Sequence, residues 1–552
     1  MNRLIAILSL LVLTGCATLP TELNVQTGPE LTAPNSQDLA YYSPASPSIG
    51  ATQQEIVSGF LAAGTGPQND YSIAREYLST GFAQRWQPEA QTLIRTGAPL
   101  FRESGLSVQL VDISVGAKLD EHGRYVESTS LETEVLRFQL IQENGEWRID
   151  SAPNLTVVTQ PVFSVVFNAF PVYFADSRKT FLVPDLRWFP SRASTPTRLV
   201  NALLDGPSSW LAPAVSTAIP DETRLTINAV TIESGVAQVD FNSNALAANT
   251  VDRSVMLSQL RSTLIQIAGI NEVALSVNGS LQEISGSRLS APSGFGPTFV
   301  LNRTGITRIS AGNLSSLSGT DQLVRNYEPR LFAITDESRL VAFSNDEGVF
   351  LLERDGIAIR TQQVSEDTEV AALDFDVFGS LWIFPKDAAD PIRVIDARGT
   401  SRELESELSG ERIHGALSPE GTRLVQAVVE SETVSRVFIQ TIDRDASLLP
   451  LRVNEGFSFQ PVIGTPISVT WHGLNAVRVL ERTLSGLSAL NEYPLTGPRR
   501  ALTMPPIVGT KVTSGSTSIS SYLISDEGEL WILTGNTWRS TRDRISDFAS
   551  LR

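Results

Sequence analysis

Ser525-Asp-Glu-Gly-Glu-Leu-Trp531 is a polar turn running straight into an apolar strand, and the same order of residue types occurs upstream. It is seen in Thr335-Asp-Glu-Ser-Arg-Leu-Val-Ala-Phe343, in Asp376-Val-Phe-Gly-Ser-Leu-Trp382 and in Ser418-Pro-Glu-Gly-Thr-Arg-Leu424, and more weakly in Trp471-His-Gly-Leu474. Gly379, Gly421, Gly473 and Gly528 mark these turns, and a tight hairpin needs a residue that accepts positive φ. Their separation is near the ~40–50 residues of a four-stranded blade. From Phe299 onward the chain therefore reads as all-β, a β-propeller over 299–552. About five blades can be counted, with a sixth if Phe299 to Ile309 supplies strands that close the ring. Hairpins of a β-sandwich are the alternative that irregular spacing leaves open.

Upstream of this region the texture is mixed. Over 165–285, Val172-Tyr-Phe-Ala-Asp176 leads to Leu182-Val-Pro184 and Arg187. Thr195 is expected to cap a helix that has Pro196 at its first position and an apolar stripe of Leu199, Leu203 and Leu204. Gly206-Pro207 stops that helix. A strand is expected around Leu225 to Ile232, another at Ala237-Gln-Val-Asp-Phe241, then a helix stacking Met256, Leu260, Leu264 and Ile267, and a strand Val273 to Val277. Over 51–155, Ile56, Val57, Phe60 and Leu61 recur at helical spacing behind an N-cap region at Thr52, and Ala74, Tyr77 and Leu78 suggest a second short helix. Strands through Val108, Leu110 and Ile113, through Val135, Phe138 and Leu140, and at Trp147-Arg-Ile149 follow, with turns at Asp120 to Gly123 and Glu143 to Glu146. The fold class is thus multi-domain: two mixed α+β and α/β modules followed by an all-β one.

The amino terminus carries an address. Arg3 precedes an apolar run from Leu4 to Leu13, too short to span a bilayer, which takes ~20 apolar residues, and right for the core of an export signal. Leu13-Thr-Gly-Cys16 then places the chain's only cysteine directly after small residues. This resembles a bacterial lipobox, which implies a signal peptide over 1–15, cleavage between Gly15 and Cys16, and a diacylated Cys16 as lipid anchor. Two acyl chains anchor stably where one does not. Residues 16–50, rich in Pro, Ser, Thr and Asn, suit a flexible tether with a reach of ~30–35 Å.

Composition sets further bounds. At 41% hydrophobic and 19% charged residues, the 552-residue chain has ordinary material for folded cores. One cysteine precludes an intramolecular disulfide. A formal charge of −17 argues against nucleic acid, whose phosphates call for Lys and Arg. The chemistry-bearing residues are sparse. His122 reads as a solvated turn residue, while His414 and His472 fall near blade strands from which they could approach a central channel. No His-Glu-x-x-His, Walker loop or Gly-x-Ser-x-Gly elbow occurs. Gly294-Phe-Gly296 lacks the strand-to-helix context of a phosphate loop. Asp374-Phe-Asp376 falls short of a calcium loop and reads as turn chemistry, and Trp382 and Trp531 as inter-blade core. No catalytic residue, metal or cofactor is assigned.

Several resemblances follow from these residues. Two helices and a meander ending in Gly-Glu-Trp-Arg-Ile149 resemble the NTF2-like, cystatin-like cone. Leu-Leu-Asp-Gly-Pro207, Ile-Pro-Asp-Glu-Thr223, Val-Ala-Gln-Val-Asp-Phe241 and Val-Asn-Gly279 look like a GerMN domain, and the Pro-Glu-Gly and Asp-Glu-Gly turns resemble TolB and NHL-like propellers. In this order, behind a lipobox, they resemble the LpqB lipoproteins of actinobacteria. That resemblance implies a non-enzymatic, membrane-anchored extracytoplasmic accessory whose partner is the sensor region of an Mtr-type histidine kinase, bearing on cell division and envelope homeostasis. The runner-up is a protein that binds or hydrolyses wall glycans, using the propeller channel or the cone of the first domain.

Overall fold

The computed structural model describes residues 44–551 except 287, 311–312, 336–338, 356–357 and 462–463. Gly15, Cys16, the signal, most of the tether and the turn residues 336–338 lie outside the described residues.

In the first domain Thr52 closes a capping box on the helix Gln53–Ala63: its hydroxyl accepts from the Glu55 amide and the Glu55 carboxylate accepts from the Thr52 amide. Ile56, Val57, Phe60 and Leu61 form the buried face. The second helix is shorter than its apolar spacing suggests. It stops at Arg75, and Tyr77 and Leu78 instead pair with Ile149 through backbone bonds. A long hairpin, Val108–Asp120 with Tyr125–Glu143, carries the sheet, which is flanked by Gln91–Arg95, Leu100–Glu103, Glu146–Ser151 and Thr156–Thr159. One sheet face packs on the helices through Phe138, Leu140 and Val111, beside Phe60 and Trp86. The other packs Ile94, Leu119 and Tyr125 on the helix Gln160–Val166.

The middle domain sets the helices Thr195–Asp205 and Thr250–Leu264 against two small sheets. Val236–Phe241 and Glu272–Val277 run parallel at its centre. Thr195 is not the cap. Ser194 holds that position, and the Thr195 hydroxyl accepts from the Arg192 amide and donates to the Pro190 carbonyl, pinning the turn before the helix. The strand expected around Leu225 to Ile232 shrinks to Thr231–Glu233, because the preceding residues use their backbone amides locally and on Asp240.

The propeller has six blades. The second is Leu331–Ile334, Leu340–Asn345, Gly348–Asp355 and Ala358–Ser365, and the third to fifth repeat the pattern from Val370 to Leu404, Glu411 to Phe459 and Gly464 to Leu502. The ring is closed by one strand, Thr537–Ser550. Its first half completes the sixth blade against Glu529–Thr534, and its second half becomes the inner strand of the first blade against Thr298–Asn302. Arg542, at φ 62°, bends the strand near its middle. Phe299 to Ile309 does contribute strands to that closure. The four turn glycines all sit at positive φ, from 61° to 83°.

The turn carboxylates are spent on the turns. Asp376 accepts from the amides of Phe378 and Ser380, from the Trp382 indole and from Arg444. Burial pushes the Glu420 carboxyl up, but Arg423 at 2.6 Å and the Ser418 hydroxyl outweigh it and hold it below the usual range. Trp382 is fully buried between blades. Gly294 is needed for close approach, since a Cβ there would lie 2.4 Å from the Gly473 Cα. Thr52→Ala should cost about 1 kcal/mol through loss of the capping box, read as a lower urea midpoint for first-domain unfolding.

Candidate functional site: a three-way junction and a closed channel

The strand Leu182–Pro190 is buried at all nine positions. A strand with one solvated face alternates apolar and polar residues; this one has partners on both sides. Val183 and Phe189 enter the core of the middle domain. Trp188 turns the other way, into the first domain, where its ring lies 5.1 Å from Phe163 and 6.3 Å from Tyr125. Its amide donates to the Gly123 carbonyl at 2.8 Å. Its indole N–H donates to the Thr496 carbonyl of the fifth blade at 3.1 Å, and the Thr496 hydroxyl donates back to Leu186. Gly497 leaves room for the ring, since a Cβ there would come within 2.2 Å of it.

Two charges sit inside this strand. Asp185 and Arg187 pair at 2.7 Å with both side chains fully buried. Asp185 also accepts from the Ser208 amide and hydroxyl, while Arg187 donates to the carbonyls of Gly206 and His122. The pair thus ties the strand to the end of the helix Thr195–Asp205 and to the first domain's hairpin turn. His122 lies at that turn, 3.4 Å from Asp205 and 3.5 Å from Glu121. It is a domain-interface residue rather than a solvated loop residue, because the hairpin tip is driven against the middle domain.

A second clamp closes nearby. Arg192 and Arg198 converge on Glu89, the latter at 2.8 Å, and burial lowers both arginines from their ordinary value. Arg192 also lies over the Tyr71 ring at 5.6 Å. The run Asn69, Asp70 and Tyr71 holds left-handed φ at three successive non-glycine residues, a conformation costing ~1–2 kcal/mol per residue. Asp70 is held there by Arg75 at 2.7 Å and Tyr71 by the arginine from the next domain.

The propeller axis is nearly filled. Inner strands of all six blades line a cavity of about 40 Å³, with Asp374, His414, Thr470, Lys511 and Asp547 on its wall. Burial pushes the Asp547 carboxyl up, opposed by the Lys511 ammonium in contact with it and by the Phe332 amide. Such a space holds one or two waters and no sugar ring. The channel expected for a glycan is therefore closed by its own side chains. His414 lines it. His472 is absent from its lining and sits at the end of its strand, Nδ1 3.3 Å from the Ser514 hydroxyl, Nε2 3.0 Å from Arg478 and 3.5 Å from Glu492, under the Phe295 ring. Burial, reinforced by Arg478, lowers it to about 4. Among the described residues no group of His, Cys, Asp and Glu is arranged to hold a metal, and no helix is long and apolar enough to cross a membrane.

The propeller turns at Phe378, Ala446 and Thr496 meet the middle domain, whose Trp210 also packs on Phe457 in the fourth blade's outer strand. In antiparallel blades alternate turns fall on opposite faces, and these three share one face. The hairpin turns at 386–391, 430–434 and 484–487 lie on the other, where Leu484 and Leu487 stand exposed. The junction strand went unread as such in the sequence; the available signal was Asp185 and Arg187 inside an otherwise apolar run.

Comparison with known proteins places this architecture. Family models match at three stretches: the LpqB lipoprotein N-terminal domain over 46–164, the sporulation and spore germination domain over 171–283, and the LpqB lipoprotein β-propeller domain over 305–547. The lipoprotein LpqB of Bifidobacterium longum is 26% identical over 564 residues, covering 96% of this chain and 95% of that protein. That of Cutibacterium acnes is 31% identical over 49% of this chain and 45% of that protein. Among solved structures, TolB from Acinetobacter baumannii aligns at a TM-score of 0.35 and 13% identity, over 47% of this chain and 68% of that chain.

Asp185→Ala should destabilise by about 3–5 kcal/mol in urea unfolding, because it leaves Arg187 buried without its acid. Asp185→Leu combined with Arg187→Met should recover much of that loss. Folded His472 stays neutral to about pH 4, whereas an unfolded histidine protonates near 6.5. Stability is therefore lost as pH falls from 6.5 toward 4, by about 3 kcal/mol at most. His472→Gln should flatten the urea midpoint across that window, and an unchanged slope would contradict the assignment.

Proposed function

The chain belongs to the LpqB lipoprotein family, and on that premise we propose that it is a non-enzymatic accessory acylated at Cys16, held on the extracytoplasmic face of the membrane. Its partner in this reading is the sensor region of an Mtr-type two-component histidine kinase, through which it acts on cell division and envelope homeostasis. The observation that carries the reading is the junction at Leu182–Pro190, which joins three domains through buried bonds and leaves one propeller face uncovered by the other domains among the described residues. A rigid body with an open face and loops upon it suits protein recognition. A channel with room for one or two waters supports binding over catalysis at the axis.

Crosslinking on the extracytoplasmic side followed by mass spectrometry tests the partner. Kinase sensor peptides joined to loops on the uncovered face are expected; failure of the protein to bind any kinase sensor region, with signalling unchanged on its loss, would overturn the reading. Cys16→Ala should fold normally yet leave the membrane fraction or remain unprocessed. If it stays membrane-bound without acylation, Cys16 is not the anchor.

A further inference from the structure

Seams between blades are built from apolar side chains, as where Trp471, Val479 and Tyr493 meet Val425, Ala427 and Ile439 between the fourth and fifth. The seam between the third and fourth is apolar at one end only, where Leu417, Leu424, Ile442 and Leu449 meet Trp382 and Phe384. Further along the same sheet face, strand alternation brings Gln426, Gln440 and Arg436 to positions where core side chains belong. There a cleft of about 630 Å³ opens between the segment 403–408 and the outer strand Pro450–Phe459.

Polar groups at such positions cost free energy unless hydrogen-bonded, and these form a relay. Buried Arg412 donates through Nε to Gln426 at 2.7 Å, and Gln426 donates to Gln440 at 2.7 Å. Gln440 in turn donates from its side-chain amide only a long 3.5 Å bond, to the Asn454 carbonyl. The chain of donors thus ends on an amide group lining the cleft. Glu403, Glu405 and Glu407 alternate along one wall and Glu455 stands on the other. The arginines of the lining are engaged elsewhere, Arg436 with Glu430 and Arg452 with Asp443, and Glu403 is paired with Arg393. Glu405, Glu407 and Glu455 have no ion-pair partner among the described residues.

We propose that this cleft binds an extended basic peptide segment. The Gln440 side-chain amide and the Asn454 backbone carbonyl meet its backbone, and Glu405, Glu407 and Glu455 meet lysine or arginine side chains at alternating positions. Same-side residues of an extended peptide recur every ~6.6–6.8 Å, so lysines at alternate positions of the segment all face one side of it. The proposal is independent of which protein supplies the segment.

The test uses the whole chain and a labelled decapeptide of alternating serine and lysine, followed by fluorescence anisotropy. Binding is expected, weakening as salt rises, while a serine–glutamate decapeptide stays unbound. Glu405→Gln with Glu407→Gln should weaken binding at least tenfold, and Gln440→Leu severalfold, with the melting temperature of each variant recorded to show that it folds. Glu233→Gln with Glu283→Gln removes the same charge from the middle domain and should change nothing. Equal affinity in all variants, or no binding by the wild type, overturns the proposal. So does binding of a tetramer of N-acetylglucosamine that Gln440→Leu abolishes while the peptide is unaffected, which would make the cleft a glycan site.

Discussion

The buried strand Leu182–Pro190 is the constraint on which the arrangement depends. A strand buried on both faces must find partners for its polar groups internally, and this one draws them from three domains at once. Trp188 alone packs on the first domain, donates its amide to Gly123 and donates its indole to a turn of the propeller. The Asp185–Arg187 pair fixes the register of these contacts, because neither charge tolerates displacement from its partner in a dry interior. Chains whose domains share only exposed linkers move relative to each other by default; here the shared strand and the clamp on Glu89 oppose such motion.

The propeller solves a different problem. Six sheets in a ring leave two ends to be joined, and the two-part strand Thr537–Ser550 joins them by serving two blades. The ring then pulls its inner strands close enough that Lys511 and Asp547 meet within the axis and fill it. Tight packing at the axis and an open seam between the third and fourth blades are two outcomes of one architecture. Where face positions stay apolar the seam closes, and where Gln426 and Gln440 take them it opens.

Much of the fold was legible because it rests on local signals. Turn glycines at positive φ announce hairpins, and helical spacing at Ile56 to Leu61 announces the first helix. Misreadings came where competing partners, distant in sequence for two of three, overrode the expected local preference. Tyr77 and Leu78 left their helix to bond to Ile149, Thr195 ceded its cap to Ser194 to brace Pro190, and His122 moved from a solvated turn to an interface because another domain lies against it.

By itself the sequence determined the class of each module, the blade repeat and, in the single cysteine behind a short apolar run, an expected anchor at Cys16. These are set by chain-local chemistry: backbone conformations that only certain residues accept, periodicities that only certain elements repeat. Only the tertiary structure decided that the channel is closed, that the cleft lies in a seam and that Asp185 and Arg187 bind the body together. Those depend on side chains far apart in sequence arriving within a few ångströms, and on where burial leaves a charge its partner.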